Sequence, residues 1–138
     1  DFPLKTHCCG GHMTQIGPTT AFELLRRLIH AADQYKADLI VTLCPMCQLN
    51  LDAYQGEMNR HFNTHYHMPI LFFTQLIGVA FGIPAKQLGF GSELVSAADA
   101  MGRIGVEVPI AEPPREPRPR KKEGLPMPRM PEAEEVRP

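Results

Sequence analysis

The sequence has almost no net charge. Its 14 Lys and Arg against 15 Asp and Glu leave −1 over 138 residues, so no overall field directs the chain to nucleic acid or to a membrane surface. A hydrophobic run long enough to span a bilayer is also missing. The longest apolar stretch, Ile70-Leu71-Phe72-Phe73 and then Leu76 to Ile83, is interrupted by Thr74-Gln75 and by Gly82. Cysteine is scarce, with four in all, and no signal-peptide pattern accompanies them. That fits a reducing, cytoplasmic setting and not a disulfide-stapled secreted fold. Position 1 is Asp and not Met, so the chain is expected to be part of a longer one. What remains is one domain's worth of chain, large enough for a core and small enough for a bound metal to matter to its stability.

The four cysteines fall into two tight pairs, Cys8-Cys9-Gly10-Gly11 and Cys44-Pro45-Met46-Cys47. A helix starting at Pro45 would aim its free backbone N–H groups at whatever the sulfurs hold, favouring thiolate over thiol. Thiolate is the form that binds metal. Gly10 and Gly11 carry no Cβ, so the backbone there can turn sharply and approach a bulky group.

Residues 1 to 17, rich in His and Gly, read as a ligand-bearing loop. Thr20-Ala21-Phe22-Glu23 matches a capping box and predicts a helix start. Phe22, Leu25, Leu28, Ile29 and Ala32 recur at helical spacing, with Arg26, Arg27, Asp33 and Lys36 on the other face, so the helix should run to about Tyr35. Leu39-Ile40-Val41-Thr42-Leu43 suits an interior parallel strand buried on both faces. Beyond it, Leu49, Leu51, Ala53, Tyr54, Met58 and Phe62 alternate with Asn50, Asp52, Gln55, Glu57 and Arg60. That predicts one further helix with Cys47 in its first turn, weakened at Gly56 by about 1 kcal/mol relative to Ala.

His61, His65 and His67 lie in a polar loop without the paired spacing of a zinc finger, and are read as solvated. Met68 to Phe73 reads as a second buried strand, entered through Pro69. Thr74 is expected to cap a short helix closed by Gly82 and Pro84, and Glu93 to Ala100 to form another. The composition changes at Val106: nine of the 14 prolines follow it, with seven basic and seven acidic residues. Residues 106–138 are therefore expected to be a disordered, polyproline-like tail behind a domain of residues 1–105. Its basic cluster, Arg115 to Lys122, reads as solvated linker. Helix, strand, ligand loop and helix in succession give an α/β fold: a small parallel sheet flanked by helices, with cysteine ligands at the strand ends.

Four readings compete for the cysteines. A zinc tetrathiolate finds a usual half-site in the Cys-x-x-Cys but a poor one in adjacent Cys8 and Cys9. A thioredoxin-like dithiol would use Cys44 and Cys47 and leave the other pair idle. Inert buried thiols do not account for two pairs so placed. An iron–sulfur cluster offers several metal corners and uses all four.

Cys8-Cys9-Gly10-Gly11, the spacing to Cys44-Pro45-Met46-Cys47, the continuation Gln48-Leu49-Asn50-Leu51-Asp52-Ala53-Tyr54-Gln55, and Pro69 to Gly78 together resemble the second cysteine-rich CCG domain of the B-type subunit of heterodisulfide reductase. The resemblance covers residues 5 to 96. A CCG motif alone also occurs in iron–sulfur subunits of glycolate and lactate oxidases, in anaerobic glycerol-3-phosphate dehydrogenase and in a succinate dehydrogenase-like subunit; the Asn-Leu-Asp-x-x-Gln and Phe-Thr-Gln-Leu segments favour the heterodisulfide reductase family. The resemblance implies a noncubane [4Fe-4S] cluster with Cys8, Cys9, Cys44 and Cys47 as four of five ligands, the fifth expected upstream. It also implies reductive cleavage of a disulfide such as coenzyme M–coenzyme B in two one-electron steps, with a ferredoxin-like C-type subunit and a flavin-bearing A-type subunit as partners. A facing second CCG motif is absent, so this stretch is expected to be inactive alone. His7 and His12 flank the ligand loop, as proton donors or as polar surroundings. The alternative from another class is a non-catalytic zinc-binding interaction module.

Overall fold

A computed structural model describes residues 2–109. The chain opens with turns and then forms helix α1 (Pro18–Gln34). This helix begins two residues before the predicted cap. Pro18, with its fixed φ and no N–H to leave unpaired, takes the first helical position, and Gly17 stands at the N-cap with no side-chain hydrogen bond. The Thr20–Glu23 capping box is therefore not formed; both residues are already inside the helix. The apolar face is the one that periodicity assigned, with Leu25, Leu28, Ile29 and Ala32 buried.

Strand β1 (Ile40–Thr42) follows, then helix α2 (Pro45–Ala53), helix α3 (Gln55–Phe62) and strand β2 (Ile70–Phe72). The two strands pair in parallel, Ile40 opposite Ile70 and Thr42 opposite Phe72. Parallel neighbours need a crossover, and α2 with α3 supplies it. Helix α4 (Phe73–Ala80), a 3-10 turn (Ala85–Leu88) and helix α5 (Ala98–Gly102) complete the order. The small parallel sheet flanked by helices is thus the architecture.

Alternation along β2 divides the core. Ile70 points into a cluster with Leu25, Leu28, Ile29, Leu51, Met58 and Met68 under α1, α2 and α3. Leu71 points the other way, into Ala85, Phe90, Ala97 and Met101. The sheet therefore separates two apolar layers, as period-two geometry requires.

Several expectations are corrected. β1 is not buried on both faces: Val41 is 45% exposed and Leu43, just past the strand, 75% exposed, because the apolar layers that cover β2 do not extend over them. The predicted single helix after Cys47 is two, interrupted at Tyr54 (φ −99°, ψ 6°) and not at Gly56. The break turns Gln55 so that its side chain spans Met68, accepting from the Met68 N–H at 3.0 Å and donating to the Met68 carbonyl at 2.7 Å. Helix α4 is closed at its start by Gln75 and not by Thr74, since the Gln75 amide oxygen accepts the Phe72 N–H at 2.8 Å.

Glu93 to Val95 are not helical, and their polar groups tie this segment to its neighbours. Glu93 accepts from the Gly91 N–H at 2.7 Å, and the N–H groups of Leu94 and Val95 both donate to the Asp52 carboxylate at 2.9 Å. The packed body continues past Gly105: Val106 and Val108 lie against the second cluster, and the Val106 N–H donates to the Met101 carbonyl at 3.1 Å. The basic cluster Arg115 to Lys122 and most of the expected tail lie outside the described residues.

Candidate metal centre

Cys44 is the last residue before α2, held in extended conformation at its N-cap, with Pro45 in the first turn. The N–H groups of Cys47 and Met46, freed by the helix start, face the Cys44 sulfur and hold its thiol below the ordinary value. Cys47 sits one turn in, half-buried. Burial, then its hydrogen bond and charge coupling with Cys9, and then Cys44, push its thiol up to about 12.

Cys8 and Cys9 arrive from the opening loop. Gly10 adopts φ +80°, which a residue with a Cβ rarely takes, and a Cβ there would stand 3.1 Å from the backbone of Ala21. The sharp turn expected here therefore needs glycine both for its backbone conformation and because it presses on α1. Gly11 is the glycine facing the sulfurs: its Cβ position lies 3.5 Å from Cys9 Sγ. The turn buries Cys9 and brings its sulfur to 3.2 Å from Cys47 Sγ. Cys8 is exposed, and its sulfur accepts from the Gly10 N–H at 3.4 Å.

Cys9, Cys44, Cys47 and His7 line a cavity of about 540 Å³, together with apolar residues that include Leu28, Leu39 and Leu51. Cys8 and His12 are not on that wall. His61 packs on Phe22 and Phe62, and the His67 ring meets the His65 carbonyl at 3.1 Å, so the three later histidines do not join the cysteines. Among the described residues no three His, Cys, Asp or Glu side chains converge tightly enough to hold one metal ion. A single ion draws its ligand atoms to about 2.0–2.3 Å, and this donor set does not supply that. A group with several iron atoms spreads its ligand positions and needs room. Two close sulfurs and a third on the same cavity wall, with Cys8 next to Cys9 in the chain, suit the larger group.

Sequence reasoning missed two buried polar residues, of which Asn50 ties the cysteine loop to α2 and Gln55 ties α3 to the entry of β2. Asn50 and Gln55 fall at positions read as the solvent face of a helix, yet they are 3% and 1% exposed, whereas Leu49 is 59% exposed. The Asn50 side chain donates to the Cys9 carbonyl at 2.8 Å and accepts from the Thr14 hydroxyl at 2.7 Å. A signal was available: three amide or carboxylate residues shortly after a Cys-x-x-Cys, on a helix too short to need them for solubility.

Residues 1–52 match the CCG cysteine-rich domain family. Among its relatives is the B-type subunit of the ferredoxin:CoB-CoM heterodisulfide reductase of Methanosarcina mazei, 31% identical over 106 residues, which are 75% of this chain and 35% of that protein. The 8-methylmenaquinol:fumarate reductase membrane anchor subunit of Wolinella succinogenes is 34% identical over 96 residues, 70% of this chain and 34% of that protein. The resemblance to heterodisulfide reductase carried by the motifs is upheld. The chain spans about a third of the length of these curated relatives. Among the described residues no helix is long and apolar enough to cross a membrane.

Proposed function

We propose that this chain is the cluster-bearing C-terminal part of an electron-transferring oxidoreductase subunit of the heterodisulfide reductase type, with Cys8, Cys9, Cys44 and Cys47 as iron–sulfur ligands. The observation that carries the reading is the meeting of Cys9 and Cys47, 38 residues apart, at 3.2 Å on the wall of a cavity that Cys44 also lines. The resemblance to heterodisulfide reductase supports the cluster type, a noncubane [4Fe-4S] group, and such a group supplies one-electron transfer.

The residues around it have definite tasks. The α2 N-terminus favours the Cys44 thiolate. Cys47 is kept protonated until a metal displaces its proton. Leu28, Leu39 and Leu51 give the cavity an apolar lining. Val41, Leu43, Met46 and Leu49 are exposed apolar side chains within nine residues of sequence around Cys44 and Cys47, and such surface is the kind that a further domain or another protein covers. We therefore place the chain as half of an active site, inactive alone and located in the cytoplasm. Its disulfide substrate would take up two electrons and two protons to leave two thiols, the electrons arriving through ferredoxin-like and flavin-bearing subunits.

The test is metal and sulfide analysis of protein purified and reconstituted without oxygen. Several irons with acid-labile sulfide per chain are expected. One zinc without sulfide would replace this reading with a zinc-stabilised interaction module.

A further inference from the structure

The Cys8–Cys9 loop reaches α2 through one buried side chain. Asn50 lies three residues after Cys47, so both are on one face of the helix. Its amide nitrogen donates to the Cys9 carbonyl at 2.8 Å, and its amide oxygen accepts the Thr14 hydroxyl at 2.7 Å. Asn50 thus grips the ligand loop at two points, on either side of the Gly10-Gly11 turn. Thr14 is held in turn, its hydroxyl lying 3.4 Å from the Gly10 and Gly11 carbonyls. Nothing else polar joins the Cys9 main chain to α2 among the described hydrogen bonds. The other tie between the two elements is the Cys9–Cys47 sulfur pair, 3.2 Å apart.

We infer that Asn50, with Thr14 behind it, is the positioning residue that sets the distance between Cys9 and Cys47. It touches neither sulfur and acts through the Cys9 backbone. An Asp there would lose the donor to the carbonyl and add a charge beside two thiols, and an Ala would leave the buried carbonyl unpaired. Gln55 offers a matched contrast. It is an equally buried amide with two backbone hydrogen bonds, but both go to Met68, away from the sulfurs.

The inference rests on the proposed centre for its use, but its test does not need a metal. In the full 138-residue chain carrying Cys8→Ser and Cys44→Ser, only Cys9 and Cys47 remain as thiols. Equilibration with reduced and oxidised glutathione then reads their proximity. The glutathione S–S bond breaks, the Cys9–Cys47 bond forms, and two glutathione thiols take the two electrons and two protons.

Asn50→Ala is expected to lower the effective concentration of the pair about five- to tenfold, the worth of one buried neutral hydrogen bond. Thr14→Val should lower it in the same direction by less. Gln55→Ala should lower the melting temperature and leave the effective concentration of folded molecules unchanged. An unchanged value in Asn50→Ala, or an equal fall in Gln55→Ala, would overturn the inference. Should Asn50→Ala not fold, Thr14→Val decides, and an unchanged value there overturns it as well.

A second arm uses the chain with all four cysteines, loaded with iron and sulfide without oxygen. Asn50→Ala should then shift the absorption and paramagnetic signals, whereas Gln55→Ala should not. Failure of the parent chain to take up iron would count against the cluster and leave the glutathione result standing.

Discussion

Cys44 and Cys47 stand three residues apart at one helix start, yet their thiols are driven in opposite directions. Cys44 is exposed and faces two backbone N–H groups, which favour its thiolate; Cys47 is drawn into the core beside Cys9, which disfavours it. In metal-free protein Cys44 should therefore be alkylated first by iodoacetamide, with a midpoint below that of an ordinary thiol, and Cys47 last. Equal rates at the two positions, read by mass spectrometry of peptides, would contradict that assignment. The same shifts bear on stability. A thiol raised on folding contributes stability that is present below its ordinary value of 9.0 and lost as pH rises toward about 12. Cys44, lowered on folding, contributes in the opposite sense, above its ordinary value, and little, because its surroundings are solvent. The melting temperature of the metal-free chain should thus fall as pH rises from about 9 toward 12, and fall less in Cys47→Ala. Both Cys44→Ser and Cys47→Ser should lose iron, but only the second should also lower the metal-free melting temperature, since only Cys47 packs against the core.

At the scale of elements, periodicity reads well where one side chain after another faces the same layer. α1 and the two strands were legible for that reason: Leu25, Leu28, Ile29 and Ala32 repeat at helical spacing, and Ile70 and Leu71 are both buried because the sheet is covered on both faces at β2. The segments that were not legible are those where a polar side chain serves a distant backbone. Asn50, Asp52 and Gln55 have the pattern of a solvent face, but each reaches a loop whose sequence gives no sign of needing it. Leu94 and Val95 are fixed by their N–H groups to Asp52 in an irregular segment ahead of α5. The approach of the two cysteine pairs at Cys9 and Cys47 was legible, whereas the place of Gly10 was not, because its contact is with Ala21 on the next element. Gly10→Val should therefore destabilise the fold by about 1–3 kcal/mol through strained backbone and a clash with α1, with or without metal; chemical denaturation of the metal-free protein measures it. Gln55→Ala leaves a buried N–H and a buried carbonyl of Met68 unpaired and should cost about 2–4 kcal/mol, detected in the same way.

For the whole molecule, the two apolar layers have different dependencies. The layer under α1, α2 and α3 carries the cysteines, with Cys9 in its core and Cys47 packed on it, so metal binding should stiffen it. The other layer, around Leu71, Phe90 and Met101, is closed at its edge by Val106 and Val108. Gly91, at φ +87°, lies so close to Pro109 that a Cβ would approach its carbonyl oxygen to 2.7 Å, which fits the last described residues tightly against the body. The composition of the chain changes at Val106, but the packing does not end there. A boundary drawn from proline and charge content falls at Gly105 because valines inside a proline-rich stretch do not alter its average. Ending the chain after Pro109 should therefore leave the melting temperature of the metal-free protein unchanged. Ending it after Gly105 removes two valines from the apolar layer, worth about 1–3 kcal/mol together at partial burial, and should lower melting by several degrees, at about 4–8 °C per kcal/mol for a body of this size. Two truncated chains melted side by side decide the point: equal temperatures would place the edge of the domain at Gly105, and a loss confined to the shorter chain would place it at Pro109.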